Sequence, residues 1–229
     1  MFIDNKIILF LINVVIKIIS IIYIIKYIKK EELNSLKIKK IARSDLKLLP
    51  LLLLCCSNFI VSIIQKVNIN CNIDFFTIIS GLIISIGVGI VEELLFRSQV
   101  FEEFLKYKSK LQSLIYSSLI FGSVHLLNIS SLGSIPIILV QVGYTFFLGM
   151  VLGIIYLNSK NILLPIIFHI LFNFINDILV IELFPIKWNL TFFLVNILVG
   201  IIVSLYSLLM FKKILLKEED NNASVHMDN

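Results

Sequence analysis

Charged residues are scarce in this chain. Asp, Glu, Lys and Arg make up 15% of its 229 residues, whereas ordinary soluble domains carry about 25%. Hydrophobic residues reach 59%, and the mean hydropathy is +1.01. A soluble core of this size cannot bury so much apolar surface. The composition therefore excludes a soluble globular class and predicts an all-α fold, a polytopic transmembrane helix bundle.

Cysteines and recognisable binding motifs are also few. The three cysteines, Cys55, Cys56 and Cys71, show no metal-ligand spacing and imply no disulfide framework. The net charge is +5, but the basic residues flank apolar stretches and form no nucleic-acid-binding motif. We therefore expect no nucleic-acid partner. The absence of an internal repeat disfavours a repeat-built transporter.

Long apolar stretches dominate the rest of the sequence. About 20 apolar residues cross a bilayer as a helix, and the sequence predicts about seven such spans. They are residues 7–27, 48–65, 75–96, 111–128, 135–157, 162–181 and 190–211. We divide the chain into two N-terminal spans with a basic cytosolic loop (1–74), a main helix bundle (75–215) and a disordered cytosolic tail (216–229). In the fifth span, Gly149-x-x-x-Gly153 predicts close helix packing.

The distribution of Lys and Arg predicts the orientation. Sixteen of the twenty basic residues lie in the segments 26–47, 97–110, 160 and 212–217, which the span assignment puts on one side of the membrane. Cytosolic loops carry the excess of Lys and Arg. We therefore expect the N-terminus outside and the C-terminus in the cytosol.

The third apolar stretch ends in three charged residues, Glu92, Glu93 and Arg97. An ionisable side chain in hydrocarbon costs about 2.5–3.5 kcal/mol on insertion scales, so such residues usually mark a functional site. Glu93 and Arg97 have the i, i+4 spacing of a helical ion pair. Glu92 lacks a local partner and is therefore free for chemistry. The alternative is an ion-pair network at the membrane edge.

Two further spans carry polar residues at helical spacing. His125 follows Phe121 by one turn, and His169 and Asn173 project from one helix face that Asp177 continues. A single helical histidine is more often a packing residue than a catalyst. A stripe of His, Asn and Asp, however, indicates a polar interior that is either catalytic or conducting.

Together these motifs resemble a known family. Glu92-Glu93-x-x-x-Arg97, Phe121-x-x-x-His125 and His169-x-x-x-Asn173 occur in the order found in CPBP intramembrane proteases, also called the CAAX-protease and bacteriocin-processing or Abi family. The resemblance covers about residues 85–175. It implies a multi-pass endopeptidase of the bacterial plasma membrane, with the bundle 75–215 as its catalytic part. Its expected partners are the lipid bilayer and a membrane-associated, lipidated or secreted-peptide precursor.

The resemblance also implies roles for individual residues. Glu92 and His125 are expected to activate a water molecule, His169 and Asn173 to stabilise the oxyanion, and Glu93 and Arg97 to support the site. No cofactor is certain. Glu92, His125 and His169 also form the His-His-Glu set that catalytic zinc uses, so a metal-dependent mechanism and a metal-free one both stay open.

Two other functions fit the same residues. The first is a non-catalytic bacteriocin-immunity or peptide-binding protein, which a degenerate motif would favour. The second is a proton-coupled transporter, in which Asp177 would join Glu92 and the two histidines as a titrating group.

The predicted spans also raise a problem of depth. Glu92 lies near the cytosolic end of the span 75–96, whereas His125 lies about 14 residues into the next span, or about 21 Å along a straight helix. Both must reach one water molecule. The third span must therefore sit deeper than its apolar run suggests, or the fourth must begin later, tilt or be broken.

Overall fold

The computed structural model describes residues 2–27, 38–128 and 135–227, and within them all regular structure is helical. This confirms the predicted all-α bundle. The helical segments are α1 (Phe2–Tyr27), α2 (Arg43–Ile64), α3 (Phe75–Tyr107), α4 (Lys110–Val124), α5 (Ile135–Ser159), α6 (Leu163–Leu183) and α7 (Leu190–Met227). The predicted basic loop lies partly outside the described residues.

Six of these segments are long and apolar enough to cross a membrane: α1, α2, α3, α5, α6 and α7. The predicted span 111–128 differs. Helix α4 has 15 residues and continues into a short 3-10 turn, His125–Asn128. A helix of 15 residues rises about 23 Å, which is less than the bilayer core of about 30 Å. The orientation of the chain remains a prediction.

Helix α3 is longer than the sequence predicts. The apolar pattern ends this span at residue 96 and makes 97–110 a cytosolic connection, either a helix lying on the membrane surface or a solvated loop. Instead the helix runs for 33 residues to Tyr107, about 50 Å, through a π-helical turn at Phe96–Phe101. The helix passes its expected end because Arg97 is neutralised by Glu93 one turn earlier and Phe101 is fully buried. The charge of Arg97 therefore does not end the helix.

Helix α7 also passes its predicted end. Residues 216–229 are expected from sequence to form a disordered tail, yet the structure continues the helix to Met227. The segment after residue 215 contains no Gly or Pro that would end a helix.

Glycine positions allow close packing at two helix pairs. A Cβ on Gly149 would lie 3.2 Å from the Phe121 ring, and one on Gly153 would lie 2.4 Å from Leu114 Cδ1. These contacts pack α5 against α4, as the Gly149-x-x-x-Gly153 spacing predicts. A Cβ on Gly149 would also lie 3.2 Å from the Ser118 Cα, so it would press on the α4 backbone, whereas one on Gly153 would displace the Leu114 side chain.

The second close pair consists of α3 and α6. A Cβ on Gly89 would lie 2.7 Å from Ile170 Cγ1 and 3.3 Å from the Ile170 backbone nitrogen. The absence of a side chain at Gly89 lets the two helix backbones approach. This contact lies one turn from Glu92 and Glu93 on α3 and next to His169 on α6. It therefore brings the polar residues of the two helices together.

Candidate active site

Glu93 and Arg97 form a fully buried ion pair. Both side chains are 0% exposed, and Arg97 Nε donates a hydrogen bond to Glu93 Oε2 at 2.8 Å. This confirms the pair predicted from the i, i+4 spacing. The Arg97 guanidinium also lies over the Phe121 ring, with Cζ 5.4 Å from the ring centroid, within the range of a cation–π contact.

Glu93 also binds His169 on α6. His169 Nδ1 lies 2.9 Å from Glu93 Oε1, and the histidine is buried. An ionised carboxylate only accepts hydrogen bonds, so Nδ1 carries the proton in this contact. The bond fixes the ring orientation and leaves Nε2 as the second functional nitrogen. Glu93 therefore links Arg97 to His169.

Glu92 occupies a different environment from its neighbour. Its side chain is 26% exposed, and its Oε2 lies 3.8 Å from His169 Nε2. This distance is too long for a hydrogen bond, and no described residue donates a hydrogen bond to the Glu92 carboxylate. The two adjacent acids thus differ in environment. Glu93 is held in a buried hydrogen-bond network, whereas the Glu92 carboxylate is available to accept a proton.

A cavity of about 280 Å³ adjoins Glu92. It collects predicted site residues from three parts of the chain: Glu92 on α3, His125 in the turn after α4, and His169 with Asn173 on α6. Asp177 also lines it. Glu93 and Arg97 are absent from the lining and lie behind it.

Phe121 packs between the two histidines. Its ring is buried, with centroids 5.6 Å from His125 and 5.9 Å from His169, and it meets Phe96 edge-on at 4.9 Å. His125 Nδ1 lies 3.1 Å from the Phe121 carbonyl oxygen. A carbonyl oxygen only accepts, so Nδ1 is the donor and Nε2 is the basic nitrogen of the neutral ring.

The structure brings Glu92 and His125 to one cavity, although the predicted spans place them far apart. Glu92 lies fifteen residues before the end of α3 at Tyr107, and His125 lies fifteen residues after the start of α4 at Lys110. A short connection joins the two helices, so equal numbers of residues lead from it to Glu92 and to His125. The depth of both residues in the membrane stays a prediction.

Sequence analysis missed three cavity residues on α5. Gln141, Tyr144 and Thr145 line the cavity opposite the acids. A signal was available, since these polar residues recur at i, i+3 and i+4 in an otherwise apolar span. Asn176 lies on the other face of α6, where its Oδ1 accepts hydrogen bonds from Ser57 Oγ at 3.1 Å and from the Asn58 amide at 2.9 Å.

Comparison with known families agrees with the motifs. Residues 74–175 match the family model described as "Type II CAAX prenyl endopeptidase Rce1-like". This match is consistent with the CPBP resemblance of the motifs. The matched segment contains all three motifs and covers somewhat less than half of the chain. No curated protein and no solved structure matches the chain.

The six apolar helices and the family match indicate a multi-pass membrane protein, and the match supports an intramembrane CAAX-type protease kind of function. The cofactor that the sequence suggests for such a protease is a zinc ion. Among the described residues, no three His, Cys, Asp or Glu side chains are arranged to hold a metal ion. His169 Nδ1 is already bound to Glu93. A carboxylate on one ring nitrogen is also common in metal-bound histidines, so this bond is compatible with a metal-dependent mechanism and with a metal-free one.

Proposed function

We propose that this protein hydrolyses a peptide bond at membrane depth in the bacterial plasma membrane, with Glu92 as the general base. The observation that carries the proposal is the difference between the two acids. Glu93 is fully buried and bonded to Arg97 and His169, whereas Glu92 lines the cavity without a hydrogen bond among the described residues. A base must be free to accept a proton from water.

In the first step, Glu92 and His125 hold a water molecule between them. The water oxygen attacks the substrate carbonyl carbon as one proton passes to the Glu92 carboxylate. His125 Nε2 accepts a hydrogen bond from the same water and orients it. When the tetrahedral intermediate collapses, the C–N bond breaks and Glu92 returns the proton to the departing amine.

During the same step, His169 and Asn173 stabilise the oxyanion of the tetrahedral intermediate. The Asn173 amide donates from its nitrogen, and His169 donates from Nε2, which requires a proton on both ring nitrogens. The buried Glu93 carboxylate, 2.9 Å from Nδ1, compensates a positive charge on the ring. Removing one oxyanion donor typically lowers kcat by about 100- to 1,000-fold.

Glu93 and Arg97 act as positioning residues. Glu93 fixes the His169 ring, and Arg97 holds Glu93. The substrate that suits a site between membrane helices is a peptide in or at the bilayer, such as a lipidated protein or a secreted-peptide precursor. Its chain must be extended at the scissile bond, because a helical peptide bond is shielded by its own backbone hydrogen bonds.

The proposal is tested by comparative peptidomics of cells that carry the wild-type protein or Glu92→Gln at equal membrane abundance. Glu103→Gln is the matched control, since Glu103 is exposed and pairs only with Lys106 among the described residues. We expect a precursor to accumulate in Glu92→Gln alone. If all three peptide profiles agree while Glu92→Gln loses a protective phenotype, the protein acts by binding and the protease proposal is wrong.

A further inference from the structure

A second and larger cavity, of about 710 Å³, lies at the end of the bundle that the charge distribution predicts to be cytosolic. Its walls come from α3, α5 and α7, with contributions from the starts of α2 and α4. Among the described residues it shares no lining side chain with the cavity at Glu92. Nothing in the proposed hydrolysis uses it.

Four lysines from four separate segments converge on this cavity: Lys47, Lys110, Lys160 and Lys213. One carboxylate, Glu102, lines it among the described residues, and its Oε1 accepts a hydrogen bond from the Tyr156 hydroxyl at 2.5 Å. Burial, and then the Lys160 charge, lower the pKa of the Lys110 ammonium. Lys110 and Lys160 are thus close enough to repel each other, and an anion between them would relieve that repulsion.

Lys160 is held in an unfavourable backbone conformation. Its φ is 49°, in the left-handed region, and its amide donates to the Tyr156 carbonyl at 2.8 Å as α5 ends. Glycine is the least costly residue in this position. The chain instead places there a lysine that lines the cavity.

The cavity also offers an unsatisfied donor and an apolar wall. The Asn158 amide nitrogen is buried and has no hydrogen-bond partner among the described residues. Buried donors are usually paired, so this nitrogen indicates a missing acceptor. On the α7 side, Leu209, Met210 and Ile214 line the cavity. The cavity therefore has cationic side chains in its lining and an apolar wall on the α7 side.

We propose that this cavity binds an anionic phosphate group, that of a phospholipid headgroup whose acyl chains lie along α7. Lysine ammonium groups bind phosphate as point charges. Basic cavities between membrane helices on the cytoplasmic side suit anionic headgroups. The Asn158 amide supplies a neutral donor to a phosphate or glycerol oxygen. The inference is independent of the protease assignment, because it rests on different residues.

The experiment uses the full-length protein purified in detergent, with lipid binding measured by native mass spectrometry. Phosphatidylglycerol is the probe, and phosphatidylcholine is the comparison without net charge. The variant is Lys160→Gly/Lys213→Gln. Its matched control is Lys66→Gly/Lys212→Gln, because Lys66 has the same left-handed backbone (φ 51°) at the end of α2 and Lys212 is the neighbour of Lys213. Neither control residue lines the cavity.

We expect phosphatidylglycerol to bind the wild type and the control pair alike, and the Lys160→Gly/Lys213→Gln pair about tenfold or more weakly. Both pairs should unfold at or above the wild-type temperature, since each removes one left-handed lysine. In a second arm, inorganic phosphate competes with the lipid. Competition that depends on Lys160 and Lys213 supports a phosphate site open to soluble phosphate. Equal lipid binding by the two pairs, or none by the wild type, overturns the proposal.

Discussion

Replacing Glu92 and Glu93 separately by glutamine should give two different defects. The change is the same at both positions, the loss of one negative charge with almost no change in shape. Glu93 is 0% exposed and bonded to Arg97 and His169, whereas the Glu92 side chain is 26% exposed and lies 3.8 Å from His169. The first residue should therefore control stability and the second should control rate.

The magnitude for Glu93 follows from the burial of Arg97. Removing one partner of a buried ion pair costs about 3–5 kcal/mol, because the other charge is left uncompensated. Glutamine keeps one oxygen acceptor for Arg97 Nε, so we expect the lower end, about 3 kcal/mol. For a chain of this size about 1 kcal/mol shifts Tm by about 2–4 °C, so Glu93→Gln should unfold roughly 6–12 °C below the wild type.

Glu92→Gln should have the opposite effect, a small change in stability and a large loss of rate. Its carboxylate is partly exposed and makes no hydrogen bond to a described residue, so Glu92→Gln should change the free energy of unfolding by less than about 1 kcal/mol. Loss of a general base should lower kcat by about 100- to 10,000-fold. Glu103→Gln, an exposed change on the same helix, should match the wild type in both respects.

The assay is thermal unfolding in detergent, together with cleavage of the precursor found by peptidomics. A double variant, Glu93→Gln/Arg97→Gln, adds a check. Because it removes both charges, it should be more stable than the sum of the single variants predicts, with a coupling energy above about 1 kcal/mol. The reasoning is refuted if Glu92→Gln lowers Tm as much as Glu93→Gln does, or if Glu92→Gln cleaves at the wild-type rate.

Further predictions concern helix packing, the oxyanion and metal dependence. Gly89→Ala should destabilise the protein by about 1–3 kcal/mol in thermal unfolding, because its Cβ would meet Ile170 at 2.7 Å; Gly143→Ala, with no atom within 4 Å, should be neutral or stabilise by up to about 1 kcal/mol. Asn173→Ala should lower kcat by about 100- to 1,000-fold with little change in KM, and an unchanged kcat would remove Asn173 from the oxyanion site. Cleavage should persist after treatment with 1,10-phenanthroline; inhibition that added zinc reverses would contradict the metal-free mechanism.

The sequence predicts contacts within one helix better than contacts between helices. The Glu93–Arg97 pair follows from i, i+4 spacing alone, because helical geometry fixes which side chains meet. The Glu93–His169 bond joins residues 76 positions apart, and no local rule predicts it. It depends on how closely α3 approaches α6, which Gly89 determines through the side chain that it lacks.

Hydropathy predicts helix centres better than helix ends. The composition and apolar runs give the membrane bundle and most of its spans. The predicted end of α3 is too early because a charged Arg97 indicates an aqueous loop, although a buried partner on the same helix neutralises it. A charged residue with a partner on the same helix therefore need not end that helix. Glu92 and His125 line one cavity, which an end of the helix at residue 96 made hard to explain.

Two π-helical turns adjoin the site, and their positions connect the fold to its chemistry. One, Phe96–Phe101, begins directly before Arg97, and the other, Phe172–Leu179, begins directly before Asn173. A π turn inserts one residue into a helix and rotates the residues after it, and such turns occur often at functional sites. On α6 the consequence is visible, since Asn173 lines the cavity while Asn176 bonds to α2 through Asn58. The same turn therefore supplies one amide to the site and another to the contact that holds α6 in place.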